Sequence, residues 1–317
     1  MKKILILFGD NGHLNKVSYE SVRSIINNIN LNIYDISLLV MESDGRWYLI
    51  NDYMDILKEN DWHNCNKKQV VNILKFVSMF DRVFPVLNGL IQELFKLANN
   101  KFIGVNLESF GICFNKRIIK IICAHYKIPI IPYIEINDFK KIKQINITFP
   151  VIVKSVRCNL PKDINIVNNI DELNKFIKIV RSHNSQLIIE KFIKARKFKC
   201  AIFKNKKIHI SEVGEIKNNN LNDCDIDYGD KYKITCPVKI DKILEIEIKM
   251  MALSLFNILN INKVAIFDFL YDYNNHILYF NKINTIVDFN MNMFLNLFKS
   301  SKLSTKKIIN SLIDGSN

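Results

Sequence analysis

The sequence predicts an α/β domain followed by two α+β units. Strand and helix patterns alternate through the N-terminal third, and paired strand patterns dominate the C-terminal part. Strands that alternate with helices are typical of a parallel sheet covered by helices, whereas strands that follow one another directly form hairpins. A chain of 317 residues with 49% apolar content is long enough for two or three domains with cores of ordinary size.

The first domain is predicted to span residues 1–99. Residues 4–8 form a continuous apolar run, which is the pattern of a strand buried on both faces. Residues 18–29 have apolar positions at helical spacing, and Ser18 is the candidate N-cap. The other predicted elements are strands 33–41, 47–50 and 82–87, and helices 70–80 and 90–98.

The two further units are predicted over residues 100–186 and 187–317. The central unit contains strand 151–154 between two amphipathic helices, and the last unit opens with strand 187–193. Two hairpins follow in the last unit, and the second turns at Asn274-Asn275. The predicted helices are 116–126, 171–181, 243–259 and 305–313, and the hairpin strands are 198–203 with 207–213 and 264–271 with 277–283.

Composition and charge argue against several classes of protein. The net charge of +14 comes from lysines spread along the whole chain, without a basic block that contains aromatic residues, so a nucleic-acid partner is not expected. The seven cysteines are scattered and form no CxxC pair, which argues against a disulfide framework or zinc site and for a reducing compartment. The N-terminal apolar run is too short for a secretory signal or a membrane span. We therefore expect a cytoplasmic protein without a membrane partner.

Two lysines are candidates for binding phosphate, whose spread negative charge needs cations fixed on rigid elements. Lys154 ends an apolar strand and Lys116 begins a helix, although single lysines at such places are usually surface residues. Glu190-Lys191 lies within a predicted strand, where an acceptor beside a donor suits an adenine edge or a ribose. The alternative for that pair is an edge strand that carries protective charge.

Asp268 lies in an otherwise apolar strand, where a carboxylate is costly unless it is paired or bound to a metal ion. Asn284 ends the strand predicted to pair with it, so the two side chains could bind Mg²⁺. Lys282 is expected on the same face as Asn284, where its ammonium would oppose a cation.

Eight fragments resemble the D-alanine–D-alanine ligase family, in the same order along nearly the whole chain. They are LFG and VS at residues 7–9 and 17–18, DGRWYL at 44–49, VFPVLNG at 83–89, Asn115-Lys116, PVIVK at 150–154, EKFI at 190–193, Asp227-Tyr228 with Lys231-Tyr232, and Asp268 with Asn284-Thr285. The resemblance implies a Rossmann-like N-terminal domain with a parallel sheet, followed by a two-part ATP-grasp fold.

The same resemblance implies that ATP phosphorylates the carboxylate of one D-alanine and that the amine of a second attacks the acyl phosphate. The product would be D-alanyl-D-alanine for peptidoglycan, and the cofactors would be ATP and Mg²⁺ or Mn²⁺. The resemblance also suggests a homodimer. It assigns catalysis to Ser18, Lys231 and Tyr232, nucleotide binding to Lys116, Lys154, Glu190, Lys191 and Ile193, and metal binding to Asp268 and Asn284.

Several positions depart from the family pattern. Lys16 stands where the family has the glutamate that holds the substrate ammonium, and Leu160 lies in a segment that replaces the glycine-rich phosphate loop. Lys197 replaces the ribose-binding glutamate, Ile266 the arginine that stabilises the tetrahedral intermediate, and Lys282 the bridging metal glutamate. Each such loss can cost about 3 kcal/mol of transition-state stabilisation.

Three hypotheses therefore stay open. The chain is a working D-alanine–D-alanine ligase, or a catalytically inert ATP-grasp remnant that binds nucleotide or a partner, or an ATP-grasp ligase that joins another carboxylate and amine. Lys282 discriminates between the first two. If Lys282 points into the proposed metal site, the remnant is favoured; if it turns away and another carboxylate replaces it, the working ligase is favoured.

Overall fold

The computed structural model describes most of the chain and contains three β-sheets with helices packed against them. The described residues are 1–9, 15–59, 62–86, 102–136, 142–157, 164–180, 186–217, 233–285, 293–301 and 303–315.

The first sheet has five strands in the order β4-β3-β2-β1-β5. These strands are β1 (Lys2–Gly9), β2 (Tyr34–Met41), β3 (Trp47–Ile50), β4 (Lys67–Val70) and β5 (Arg82–Pro85). Strand β1 pairs in parallel with β2 and β5, whereas β3 is antiparallel to both of its neighbours. The predicted parallel sheet is therefore confirmed at its centre, and an antiparallel hairpin extends one side.

The helices of the N-terminal part are α1 (Asn15–Asn28), α2 (Tyr53–Lys58) and α3 (Ile73–Val77), with a short 3-10 helix at Trp62–Asn64. Helix α1 buries Val22, Ile25 and Ile26 against the sheet, as their helical spacing predicts. The prediction that Ser18 caps this helix was wrong, because the helix begins three residues earlier at Asn15. The predicted helix 70–80 was too long, since Val70 pairs with Trp47 in the sheet. Predicted helix 90–98 lies outside the described residues.

The second sheet has four antiparallel strands in the order β6-β9-β7-β8. These strands are β6 (Tyr133–Ile136), β7 (Val151–Ser155), β8 (Ile164–Val167) and β9 (Leu187–Lys191). They are preceded or accompanied by helices α4 (Leu107–Phe114), α5 (Lys116–His125) and α6 (Ile170–Val180). Asn115 caps α5, because its side-chain oxygen accepts hydrogen bonds from the backbone amides of Arg117 and Ile118.

The third sheet has six antiparallel strands, with the path β13-β12-β10-β14-β15 and β11 paired to β10. These strands are β10 (Arg196–Lys204), β11 (Ile208–Ile210), β12 (Gly214–Lys217), β13 (Lys233–Thr235), β14 (Val264–Asp272) and β15 (Ile277–Asn284). Helix α7 (Lys242–Ile258) packs on one face of this sheet, and Asp241 caps it as predicted. Both predicted hairpins are confirmed.

The last two helices connect the C-terminal part to the first sheet. They are α8 (Met293–Phe298) and α9 (Thr305–Asp314). Helix α9 buries Ile308, Ile309 and Leu312 in the same apolar cluster as Ile4 and Phe8 of β1. The chain thus folds back so that its C-terminal helix completes the core of the N-terminal sheet. The unit boundaries at residues 99 and 186 stay predictions.

Among the described residues, no helix is long and apolar enough to cross a membrane. The described cysteines Cys65, Cys113, Cys123, Cys200 and Cys236 carry free thiols. Burial raises the pKa of the Cys113, Cys123 and Cys200 thiols to about 12. These three cysteines therefore serve as small core residues and are poor nucleophiles.

We expect Cys113, Cys123 and Cys200 to resist thiol-specific labelling in the native protein. A rise of the pKa from 9.0 to about 12 leaves about a thousandfold less thiolate at pH 8. Mass spectrometry of peptides labelled in native buffer and in urea measures this protection. Equal labelling in the two conditions would contradict the burial described here.

Candidate functional site

A buried group of charges lies where helix α5 packs against the four-stranded sheet, on the side that faces the six-stranded sheet. The carboxylate of Glu190 on β9 is 2.7 Å from Lys120 Nζ of α5 and 2.7 Å from Lys154 Nζ of β7. The three side chains are at most 4% exposed. The interpretation of Glu190 as a protective charge on an edge strand was wrong, because β9 lies between β6 and β7.

Buried charges are costly unless further polar contacts stabilise them. The ammonium of Lys120 lies 4.8 Å from the centre of the Tyr133 ring and donates to the carbonyl of Ile131 at 3.5 Å. The ammonium of Lys154 donates to Asn281 Oδ1 at 3.2 Å. Since Asn281 belongs to β15, this hydrogen bond links the four-stranded sheet to the six-stranded sheet.

Lys116 lies one helical turn before Lys120 and lines the same cavity. Its backbone amide donates to the carbonyl of Val156 at 3.0 Å, which fixes the start of α5 next to the end of β7. The cavity is lined by Lys116, Lys120, Lys154, Ile164, Glu190, Asn281 and Lys282, and has a volume of about 10 Å³. That volume holds about one water-sized sphere. A larger anion therefore does not fit among these lysines in this arrangement.

A β-bulge in β15 turns two consecutive side chains toward this cavity. Asp268 pairs with Lys282 and the next residue, Phe269, pairs with Phe280, so Asn281 is the extra residue. Consecutive residues of a regular strand point to opposite faces, and a bulge breaks this alternation. Both Asn281 and Lys282 line the cavity as a result.

Asp268 lies in the middle of a row of three charges across β10, β14 and β15. It pairs in register with Lys199 on one side and Lys282 on the other. Its Oδ2 atom is 2.5 Å from Lys199 Nζ and 3.6 Å from Lys282 Nζ. The cost of a carboxylate in this apolar strand is thus offset by lysines of the two neighbouring strands.

This arrangement does not fit a divalent cation. Mg²⁺ in proteins is held by one or two carboxylates together with phosphate oxygens, and here the single carboxylate of Asp268 already faces two ammonium groups. No group of three or more metal-binding side chains occurs in the described part of the chain. Asn284 lies on the same strand face as Lys282, two residues further on, and is exposed. The metal-binding roles of Asp268 and Asn284 stay predictions.

The other predicted nucleotide residues follow directly on Glu190. Lys191 ends β9 and is exposed, and Ile193 lies two residues beyond the strand and is half-buried. The structure thus brings Lys116, Lys154 and Glu190 together, and it leaves Lys191 outside their cavity lining.

Ser18 lies in helix α1, next to the end of strand β1. The backbone amide of Gly9, the last residue of β1, donates to Ser18 Oγ at 3.3 Å. Gly9 has a φ of +102°, and a Cβ there would collide with the backbone of Met41, so only glycine fits. The structure places Ser18 near this glycine turn, whereas Lys231 and Tyr232 lie outside the described residues.

The positions that depart from the family pattern have different surroundings. Ile266 is buried in the apolar cluster that contains Phe203 and Phe294. Lys197 lies on the same strand face as Lys199 of β10. Lys282 points toward Asp268, which is the arrangement that favours the remnant over the working ligase. Leu160 and the side chain of Lys16 lie outside the described residues.

The sequence predictions missed three residues of the site: Lys120, Lys199 and Asn281. Lys120 could have been found because it follows Lys116 by four residues, which puts both lysines on one helix face. Lys199 could have been found because it follows Lys197 by two residues in a strand pattern. Asn281 had no signal, since its orientation depends on a bulge.

Comparisons with known proteins give matches along the whole chain. The family model described as the D-ala D-ala ligase C-terminus matches residues 123–314. A D-alanine–D-alanine ligase of Wigglesworthia glossinidia brevipalpis is 30% identical, with 98% of this chain and 97% of that protein covered. D-alanine–D-alanine ligase B of Clostridium tetani is 28% identical, with 98% and 92% covered. The crystal structure of the VanG D-Ala:D-Ser ligase from Enterococcus faecalis has a TM-score of 0.87 and 26% identity, with 100% of this chain and 99% of that one covered.

We expect Glu190→Gln to destabilise the protein by about 3–5 kcal/mol, because it leaves two buried lysines without their shared counter-charge. Urea unfolding followed by circular dichroism measures the effect. Glu135→Gln is the matched control on the adjacent strand β6, since Glu135 pairs with Arg117 at the surface and a surface pair contributes about 0–1 kcal/mol. Equal losses in the two variants would contradict the central role of Glu190.

Proposed function

Since this chain belongs to the D-alanine–D-alanine ligase family, we propose that it joins two D-alanine molecules with ATP and supplies D-alanyl-D-alanine for peptidoglycan. The observation that carries the proposal is the set of lysines Lys116, Lys120 and Lys154 around one cavity between two sheets. Phosphoryl transfer depends on cations that are held in place before the reaction, because the transferred group carries negative charge throughout.

The proposed reaction has two steps. The carboxylate oxygen of the first D-alanine attacks the γ-phosphorus of ATP, and ADP leaves. The amine nitrogen of the second D-alanine then attacks the acyl carbon, phosphate leaves, and the amine loses a proton. D-alanine ligases use ATP and Mg²⁺ in this chemistry, whereas the residues around Asp268 of this chain do not fit a metal ion.

The residues of this chain have the following proposed roles. Lys116 and Lys154 bind the phosphates, and both reach the cavity from rigid elements, the start of α5 and the end of β7. Glu190, Lys191 and Ile193 border the adenine. Glu190 also holds Lys120 and Lys154 until the phosphates take its place. Ser18, Lys231 and Tyr232 act on the D-alanine side.

A second candidate function is nucleotide binding without efficient ligation. It is favoured by the contact of Lys282 with Asp268 and by the burial of Ile266 at the position of the family's arginine. Losing one electrostatic stabiliser of a transition state typically lowers the rate by about 10²–10³. The two candidate functions share the nucleotide site and differ only in turnover.

We expect the purified protein to form dipeptide and inorganic phosphate from ATP and D-alanine in the presence of Mg²⁺. Lys154→Met should lower the rate by about a hundredfold or more, because a fixed cation at the phosphates is lost. Lys242→Met is the matched control, since Lys242 lies at the surface in a pair with Glu245. A folded protein that is stabilised by ATP against heat but releases neither product would reject ligation and support the second candidate.

We also propose that the protein acts in the cytoplasm as a homodimer. The free thiols of the described cysteines suit a reducing compartment, and the dimer is suggested by the family. Size-exclusion chromatography with light scattering is expected to give twice the chain mass of 37.1 kDa. A single-chain mass over a wide concentration range would reject the dimer.

A further inference from the structure

A second, open cavity lies between the N-terminal end of helix α7 and the hairpin of β14 and β15, and has a volume of about 380 Å³. Tyr271 of β14 lies on the strand face that packs against α7, whereas Asp268, three positions earlier, lies on the opposite face. This cavity is therefore on the other side of the six-stranded sheet from the candidate nucleotide site. Its volume falls within the range of about 300–1,000 Å³ that is typical of small-molecule sites.

The hairpin wall of this cavity is fixed by contacts among its own side chains. The Asp272 carboxylate accepts a hydrogen bond from Asn275 Nδ2 at 2.7 Å across the turn. The hydroxyl of Tyr271 lies 3.2 Å from His276 Nδ1. The rings of Tyr271 and Tyr273 are in edge-to-face contact, with their centres 4.8 Å apart. The shape of the cavity is thus largely formed before a ligand arrives.

Arg196 of β10 also lines the cavity, and its charge is matched by a neighbouring carboxylate. Its Nε and Nη2 atoms donate to the two carboxylate oxygens of Glu215, the second at 2.7 Å. Its Nη1 atom donates to the hydroxyl of Tyr273, and the guanidinium carbon lies 5.6 Å from the centre of that ring. Arg196 therefore holds Tyr273 in place, and together with Glu215 it adds no net charge.

Glu247 places a carboxylate at the cavity that its own helix does not neutralise. Glu245, two residues earlier, pairs with the lysine three positions before it at 2.9 Å and with the lysine four positions after it at 2.7 Å. The residues at the corresponding spacings from Glu247, at positions 243, 244, 250 and 251, are all apolar. No cation of helix α7 therefore lies beside Glu247 as the two lysines lie beside Glu245.

The balance of charge at this cavity favours a cation. The N-terminal end of a helix is equivalent to about half a positive charge, whereas Asp241 and Glu247 each carry a full negative charge and both line the cavity. The Asp241 carboxylate also accepts a hydrogen bond from the amide of Ile243 at 2.8 Å, which satisfies part of the helix end. The net charge of +14 is spread over the whole chain, and its distant members are screened beyond about 8 Å at physiological salt.

We propose that this cavity binds an organic cation that carries an ammonium group on an apolar body. The ammonium lies beside the Glu247 carboxylate and the rings of Tyr271 and Tyr273, because the faces of aromatic rings attract cations. The apolar body contacts Ile243 and Leu244. The site goes beyond the proposed ligation, since it lies on the other face of the sheet from the nucleotide cavity.

The test is titration calorimetry of the full-length protein with two probes that share one body and differ in charge, phenethylammonium and 3-phenylpropionate. At neutral pH and low salt we expect phenethylammonium to bind about tenfold more tightly or better, because the carboxylates attract one probe and repel the other. High salt should reduce this preference, since Asp241 and Glu247 are exposed.

Variants locate the binding. Glu247→Gln should weaken the binding of phenethylammonium by about fivefold, because a charge next to the ammonium is lost. Tyr271→Leu should weaken it by about threefold, because an aromatic ring is replaced by an aliphatic side chain. Glu245→Gln is the matched control: it makes the same change in net charge on the same helix, but Glu245 is not among the described residues that line the cavity. Circular dichroism spectra show whether each variant is folded.

The outcomes separate this inference from the proposed function. Equal binding of the two probes, binding of neither, or equal losses in Glu247→Gln and Glu245→Gln overturns the cation site. Dipeptide formation is measured on the same preparation. Ligation without binding of phenethylammonium overturns the cation site alone, whereas selective binding that depends on Glu247, without ligation, supports the cation site and rejects ligation alone.

Discussion

The packing of helix α5 against the four-stranded sheet depends on the carboxylate of Glu190, which is shared by two buried lysines. Lys120 reaches it from helix α5 and Lys154 from strand β7. Since a buried charge is costly without a partner, these three elements have to come together for any of the charges to be stable. Lys154 also donates to Asn281, so the same group joins the four-stranded sheet to the six-stranded one. The charged residues of the candidate site therefore also help to hold the two sheets together.

The two faces of the six-stranded sheet are under different constraints. On one face Phe198 and Phe267 pack against α7, where volume and polarity are limited by close packing. On the other face Lys199 and Lys282 stand beside Asp268, where the constraint is that the buried carboxylate has a counter-charge within reach. One sheet thus carries an apolar packing surface on one face and a row of charges on the other.

Family membership and site chemistry therefore carry different information about this protein. The match over nearly the whole chain establishes the fold and points to ligation, because relatives with the same architecture carry that name. How the nucleotide is held depends instead on a few charges. Lys116 and Lys154, which line the cavity, are the cations proposed to bind the phosphates. The chain thus belongs to the ligase family, and the cavity proposed to bind the phosphates is lined by ammonium groups.

The sequence by itself determined the order of strands and helices and the need of Asp268 for a partner. Apolar periodicity and caps such as Asp241 are local properties, so they are readable from neighbouring residues. Only the tertiary structure decided that Lys199, 69 positions away, is that partner, and that Glu190 lies on a central strand instead of an edge. Both depend on sheet order and register, which are set when distant strands pair. Strand pairing therefore decides which charged residues become neighbours, and the spacing of those residues along the chain does not predict it.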